Sequence, residues 1–334
     1  MLKLINISKE QDYQGWLNYR NEGIGASEVG TIMGLNPYKS ATELFYQKVG
    51  VIPQKAIDNI SMFMGNTLEP IVANLWEYFD GSDESLIENG RNKTKVKHCQ
   101  ELEGYITNDK YPHLFFSPDR LILDNPKKKG YTLGKSVGGV RTLKLKNTKG
   151  ILEIKTISGF ASKQWEGGVP PSYVIQLMTY MIGLEKEYGE IVFLEDGRKL
   201  SVYPIEYNEA IAQNIIDSTT EFWDRVTLAK QDLENVHLYE PEPDGTTAYE
   251  KFIGEKNTEV SERVIEGTEE LYNKAVEHKS IVKSIDELEY QAREITNWFK
   301  NFMGDSQEIS FGTQGKITWK ATVKGNRLFK NSTK

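Results

Sequence analysis

The sequence predicts an α/β protein in which short strands alternate with amphipathic helices, followed by a charged C-terminal extension. Three observations carry that prediction. Gly150-Ile151-Leu152-Glu153-Ile154-Lys155-Thr156 alternates with the two-residue period of a strand. Short apolar runs between 85 and 124 and between 190 and 205 read as further strands, set among helical patterns at 62–79, 174–183 and 208–230. Near residue 240 the composition shifts to long charged helical periodicity. The expected domains are therefore 1–238, with a Lys-rich insertion at 124–150, and 239–334.

In chain order, Ser8 and Gln11 have the spacing of a capping box, and a short helix follows through Trp16, Leu17 and Arg20 to a stop near Gly23. Gly23-Ile24-Gly25-Ala26-Ser27 is a glycine-rich entry to a second short helix starting at Ser27, a place where an anion can sit. By its glycines alone it is better read as an ordinary N-cap. Asn36-Pro37 marks a turn, and Ala41–Val49 a helix closed by Gly50. In the helix at 62–79, Leu68, Val72, Leu75, Trp76 and Phe79 form the apolar stripe, with Glu69 beside it and Pro70 an expected bend or restart. Leu86-Ile87, Val96–Leu102, Gly104–Thr107, Leu114–Ser117 and Leu121–Leu123 read as strands. The 124–150 connection holds eight Lys or Arg and one Asp. A charge run of this kind is either a solvated linker or a surface for phosphates. Phe160–Glu166 leads on to Val169-Pro170-Pro171 and the helix Val174–Gly183. Asp196-Gly197 then turns a hairpin between strands at 190–194 and 200–205. Tyr239–Gly245 reads as a linker. Residues 258–303 read as long charged helices, a helical hairpin or a partner-facing arm, with a heptad-like stripe running from Val260 to Phe299, and a β-hairpin follows around Thr313–Gly315.

Composition narrows the functional class. A chain of 334 residues buries a full core, and it holds no apolar run long enough to span a membrane. Its N-terminus lacks the marks of a signal peptide, and the one cysteine, Cys99, excludes an internal disulfide and a multi-cysteine zinc site. The expectation is a cytoplasmic protein, since one cysteine fits a reducing cytosol. His98, His113, His237 and His278 are scattered, which argues against a His-rich metal site. The net charge of −7 is unevenly spread: residues 231–310 hold 19 acidic and 8 basic side chains, a net −11 that leaves about +4 elsewhere. A basic surface for nucleic acid remains open on that remainder.

The chemistry gathers on the central strand. Glu153 and Lys155 share one face, about 7 Å apart along it, which taken alone is an ordinary surface ion pair. Upstream, Ser117-Pro118-Asp119 sits between two apolar runs. If the strand after Asp119 neighbours the central strand, two carboxylates and a lysine meet at one spot. Phosphodiester hydrolysis needs charge neutralised on a nonbridging oxygen, a hydroxide and a stabilised leaving oxygen. Asp119, Glu153 and the backbone carbonyl of Ile154 suit a Mg²⁺ ion, and Lys155 can orient or deprotonate water or stabilise the phosphate.

Five motifs in order, G-I-G-A-S-E…L-N-P-Y-K-S, M-G-N-T-L-E-P, S-P-D, L-E-I-K-T and P-P-S-Y-V-I-Q-L-M-T-Y-M, resemble the YqaJ-type viral recombinase, or phage lambda-exonuclease-like, group of PD-(D/E)XK nucleases. The resemblance covers about 16–230. It implies a restriction-endonuclease-like core, a central mixed sheet flanked by helices. Asp119 and Glu153 are then metal ligands for one or two Mg²⁺ ions, with Mn²⁺ expected to substitute, and Lys155 is the catalytic lysine. Glu69 is the acid from the preceding helix and a further candidate ligand, and Gln176 and Tyr180 buttress the site. Arg20, Ser27 and Ser117 are contacts to a DNA 5′-phosphate. Two departures from the family pattern stand out: the long Asp119-to-Glu153 gap, which bears on DNA entry, and the region past 240, because of which the family's toroidal trimer is not carried over.

The function this implies is a Mg²⁺-dependent DNA exonuclease of a phage or prophage recombination system. It would resect duplex ends 5′ to 3′ and leave a 3′ strand for a single-strand annealing protein; a homo-oligomer is compatible with this. The alternatives are an endonuclease or nickase of the same fold and a non-catalytic DNA-end-binding protein. Retention of Lys155 beside both carboxylates speaks against the last.

Overall fold

A computed structural model describes residues 1–7, 13–53, 59–159, 168–258, 261–322 and 325–333. Strand β1 (Leu2–Ile5) leads to helix α1 (Tyr13–Arg20); the expected cap at Ser8 and Gln11 lies outside the described residues. A two-residue strand, β2 (Ile24–Gly25), runs directly into α2 (Ala26–Ile32). Helix α3 (Ala41–Val49) has the expected ends: Ser40 accepts from the Glu43 N–H, and Gly50 takes the left-handed conformation at φ 92°. Helix α4 (Ile60–Tyr78) runs through Pro70 without restarting. Next comes α5 (Asp83–Asn92), where the sequence suggested a strand at Leu86-Ile87. Ser82 and Ser85 cap it reciprocally, acids fill its first turn and Arg91 its last, and none of its residues is buried. Local helix-end chemistry outweighs the two apolar residues there.

Seven strands follow: β3 (Cys99–Gln100), β4 (Tyr105–Asn108), β5 (Tyr111–Phe116), β6 (Arg120–Leu123), β7 (Tyr131–Val137), β8 (Val140–Leu145) and β9 (Thr148–Ile157). The stretch at 124–150 is therefore largely a β-hairpin rather than a bare linker. Gly138 and Gly139, both at positive φ, turn it between Val137 and Val140. Helix α6 (Pro171–Leu184) starts on a proline, where a missing N–H costs nothing. Strands β10 (Tyr188–Glu195) and β11 (Lys199–Glu206) pair across Asp196-Gly197, and α7 (Glu209–Gln231) and α8 (Thr247–Lys256) complete this part. The stretch Phe160–Glu166 lies outside the described residues.

The strands form two mixed sheets, ordered β2-β5-β4-β1-β8-β7 and β11-β10-β9-β6-β3. In the second, β9 lies parallel to β10 and antiparallel to β6, and α6 falls in the crossover that a parallel pair requires. Both faces of this sheet are covered. Ile151, Ile191 and Phe193 pack with Leu177 and Met181 of α6 and Phe222 of α7. Leu152, Ile154, Val192 and Leu194 pack with Val72, Ala73 and Trp76 of α4. Burial on both faces explains the apolar run of β10. Gly150 is needed where β9 meets β10, because a Cβ there would lie 2.5 Å from the Tyr188 carbonyl oxygen.

Two units result, Met1–Thr258 and Glu259–Lys334. The first extends past the expected limit at 238, because Glu240 and Lys256 both bind the Tyr46 hydroxyl of α3, at 2.8 and 2.6 Å. The second unit holds α9 (Glu269–Met303), one 35-residue helix in place of the expected helical hairpin. Strands β12 (Glu308–Ser310), β13 (Gly315–Ala321) and β14 (Arg327–Thr333) follow, and the third of them extends the expected hairpin to a sheet.

Candidate active site

The condition left open by the sequence is met: β6 pairs with β9, with Arg120 opposite Leu152. That register sets Asp119, at the entry to β6, beside the middle of β9, and its Oδ2 accepts the Ile154 N–H at 2.7 Å. Ile154 thus meets Asp119 through its amide, while its side chain joins the core under α4. Glu153 points the other way, toward α6, and is 1 % exposed. Its Oε1 accepts from Gln176 Nε2 at 2.6 Å and from Lys155 Nζ; its Oε2 is buried without a hydrogen-bond partner among the described residues. Gln176 also reaches the Tyr180 hydroxyl at 3.3 Å, and that hydroxyl donates to the Ser117 carbonyl at 3.0 Å. The i, i+4 spacing of Gln176 and Tyr180 therefore ties β9 to the Ser117-Pro118-Asp119 turn. Lys155 Nζ also lies 5.4 Å from the centre of the Tyr173 ring.

Glu69, half-buried on α4, accepts from Arg120 Nη1 at 2.6 Å. The sequence reading passed over Arg120, although it directly follows Asp119. It is 7 % exposed and also approaches Glu101 at 3.8 Å. This arginine stands between the two acids from α4 and the β6 entry.

Burial and mutual repulsion perturb the acids. Burial, then Glu153, push the Asp119 carboxyl up to about 7 against the pull of Lys155, the Ile154 amide and Arg120. Glu69 is raised by burial and by Asp119, against Arg120. Glu153 is raised by burial, against Lys155. Burial draws Lys155 down, but Glu153 and Asp119 outweigh it and hold the ammonium above the lysine range. Tyr180 is raised well above the phenol range, first by burial and then by Glu153 and Asp119, so it stays a neutral donor. Excess buried negative charge with an orphaned carboxylate oxygen is what a hard divalent cation relieves. Among the described residues no group of three or more His, Cys, Asp and Glu is arranged to hold a metal. The fit therefore rests on Asp119 and Glu153, with Glu69 held by Arg120.

The second cluster forms at the start of α2. Arg20 Nε donates to Glu28 Oε1 at 3.1 Å, and its Nη2 to Ser27 Oγ at 3.3 Å. Lys48, 1 % exposed, donates to Glu28 Oε2 at 2.7 Å and to the Arg20 carbonyl at 2.7 Å. Burial raises Glu28, but Lys48 and Arg20 outweigh it and hold it at about 2. Glu28 and Lys48 went unread in the sequence because the pair spans two helices. Helix α2 begins after Gly25 rather than at Ser27, and the Gly25 N–H is already taken by Glu28 Oε2 at 2.9 Å. The structure brings Arg20 and Ser27 together. Ser117 connects to them through its carbonyl and Tyr180, which lies within electrostatic reach of Arg20.

Residues 15–185 match the family model of the YqaJ-like viral recombinase domain. The uncharacterised protein YqaJ of Bacillus subtilis (strain 168) is 27 % identical over 330 residues, covering 98 % of this chain and 88 % of the relative. Among solved structures, an alkaline exonuclease from Laribacter hongkongensis aligns with 18 % identity and a TM-score of 0.46, over 67 % of this chain and 98 % of that one. A phage-related exonuclease from Haemophilus somnus 129PT aligns with 11 % identity and a TM-score of 0.38, over 64 % and 99 %. No helix among the described residues is long and apolar enough to cross a membrane.

Proposed function

The chain belongs to the YqaJ-like viral recombinase domain family, and from that premise we propose that it is a Mg²⁺-dependent DNA exonuclease. It would digest one strand of a duplex from a 5′ end and leave a 3′ single strand for an annealing protein in phage-type recombination. The observation that carries the reading is the buried Glu153 carboxylate, one oxygen unpartnered, beside Asp119 and Lys155. Asp119 and Glu153 would hold the cation, which when bound supplies Lewis-acid polarisation of the phosphate and a more acidic water. Lys155, kept charged by its two neighbours, holds a proton at Nζ and can neutralise charge on the phosphate or orient the attacking water. Gln176 fixes the Glu153 rotamer, and Tyr180 fixes the turn that carries Asp119. Arg120 holds Glu69 at the rim.

End selection is assigned to the Arg20 cluster. A terminal phosphate has an extra charge and extra acceptor oxygens that a guanidinium and hydroxyls can read. Arg20, Lys39 and Lys48 face two acids there, Glu28 and Glu43, which leaves one positive charge in surplus. The deciding assay compares end-labelled linear duplex with closed circular duplex, in Mg²⁺ and in EDTA. The expected result is digestion of the linear form alone, in Mg²⁺ alone, and faster from 5′-phosphate than from 5′-hydroxyl ends. Arg20→Ala should erase most of that preference. Cleavage of the circle would move the assignment to an endonuclease, and binding without cleavage to an end-binding protein.

A further inference from the structure

Helix α9 carries an apolar seam that its own unit leaves largely uncovered. Ile281, Ile285, Leu288, Ala292, Ile295, Phe299 and Phe302 follow one another in alternating steps of four and three. This is the spacing of facing positions in a left-handed coiled coil, a period that drifts off one face of a straight helix and is met only by another helix wound around it. Leu288, Ile295 and Phe302 are 63, 60 and 69 % exposed. Among the described residues, the seam meets its own unit toward its end, where the Phe299 and Phe329 rings lie 6.3 Å apart and Met303 is buried. The run spans about 33 Å at 1.5 Å per residue, which is three heptads and long enough for pairing.

We propose that this seam is covered by a second copy of the chain, as a parallel in-register coiled coil. Three features of the molecule favour that occupant. Among the described residues, the other long helices, α4 and α7, bury their apolar faces in the first unit's core, so no free partner of matching period is left within the chain. Flanking the seam, the in-register parallel pairs are Ser284 with Glu289, Gln291 with Thr296 and Trp298 with Met303, none of them like-charged. An antiparallel pair must set alternate seam positions against each other and so covers six of the seven, whereas the parallel in-register pair covers all seven. The apolar seam also stops where polar residues take over: one heptad earlier its positions are Lys274, already paired with Glu277 at 3.0 Å, and His278. Self-recognition therefore has a defined start at Ile281. The inference stands apart from the nuclease reading, since no residue of the candidate site takes part.

Light scattering of the full chain over a hundredfold concentration range tests it. The wild type should run as an oligomer. Ile285→Lys combined with Leu288→Lys should give a single-chain mass, and Tyr290→Lys, exposed on the opposite side of the same helix, should keep the wild-type mass. Because the seam residues are exposed, circular dichroism should report the first unit's fold intact in all three. Register is read separately: in a Cys99→Ser background, Leu288→Cys should form a disulfide-linked dimer on oxidation. A monomeric wild type, or an unchanged mass in the double lysine variant, overturns self-association. An oligomer in which Leu288→Cys fails to cross-link overturns the parallel register.

Discussion

At the scale of single residues, Glu153 Oε2 is buried without a hydrogen-bond partner among the described residues, and the Asp119 carboxyl beside it is raised by burial. Asp119→Asn, Glu153→Gln and Lys155→Ala should each lower cleavage of end-labelled duplex by about 10²-fold or more, with circular dichroism unchanged. Near wild-type turnover in a folded variant removes that residue from the mechanism. The pH dependence has a defined sign. Asp119 is pushed up to about 7, so the folded chain favours its neutral form. That contribution to stability is present below the ordinary aspartate range and is lost as pH rises toward 7. A cation needs the ionised form, so its binding strengthens over the same interval. Mg²⁺ should therefore raise the melting temperature more at pH 8 than at pH 6, and Asp119→Asn should flatten that difference; equal shifts at both pH values would exclude Asp119 as the titrating ligand. Glu28 has the opposite sign. Held at about 2, it contributes stability that is present above the ordinary glutamate range and lost as pH falls through that interval. Lys48→Met strands its buried charge and should cost roughly 3–5 kcal/mol in chemical denaturation. Adding Glu28→Gln should recover most of that loss.

At the scale of elements, the β7–β8 hairpin carries a basic surface beside the strand that leads into the site. Lys127, Lys128 and Lys129 are exposed before it, and Lys144 and Lys146 at its end. Replacing Lys127, Lys128 and Lys129 together by Ala should lower the slope of log K against log salt by up to about one unit per lost contact. An unchanged slope would return the segment to a solvated surface. The hairpin also shows why parts of the fold were legible and others not. Strand β9 and helix α3 were readable because period and end signals agree in them, and the meeting of Asp119 with Glu153 was readable as a condition on strand pairing. The hairpin itself left two local signals, Gly138-Gly139 and the alternation through Leu143 and Leu145, but lysines on its outer face made it look like a linker. Helix α5 was misread because capping residues, not apolar ones, define it. The Arg120–Glu69 and Lys48–Glu28 pairs join residues far apart in sequence, and only the packed chain brings them together.

For the whole molecule, the boundary at Thr258 rather than 238 decides where the chain can be divided. Ending it at Thr258 should leave linear-duplex digestion and a cooperative melt. Ending it at Glu240 removes α8, whose Phe252 ring lies 6.0 Å from Tyr46, and the Lys256 contact to Tyr46 and Glu240. The shorter chain should melt at least about 2–4 °C lower. Equal melting of the two would mean that α8 contributes nothing to the first unit.

Strand β1 lies inside the six-stranded sheet, between β4 and β8. Its residues are thus seated by strands made much later, with Lys3 waiting for Thr107 on one side and Thr142 on the other. At about 5–20 residues per second, that wait is on the order of ten seconds, during which the nascent first strand has neither neighbour. Translation speed through the hairpin codons, and any chaperone that shields the emerging strand, therefore act on the yield of folded protein without altering one contact of the finished fold.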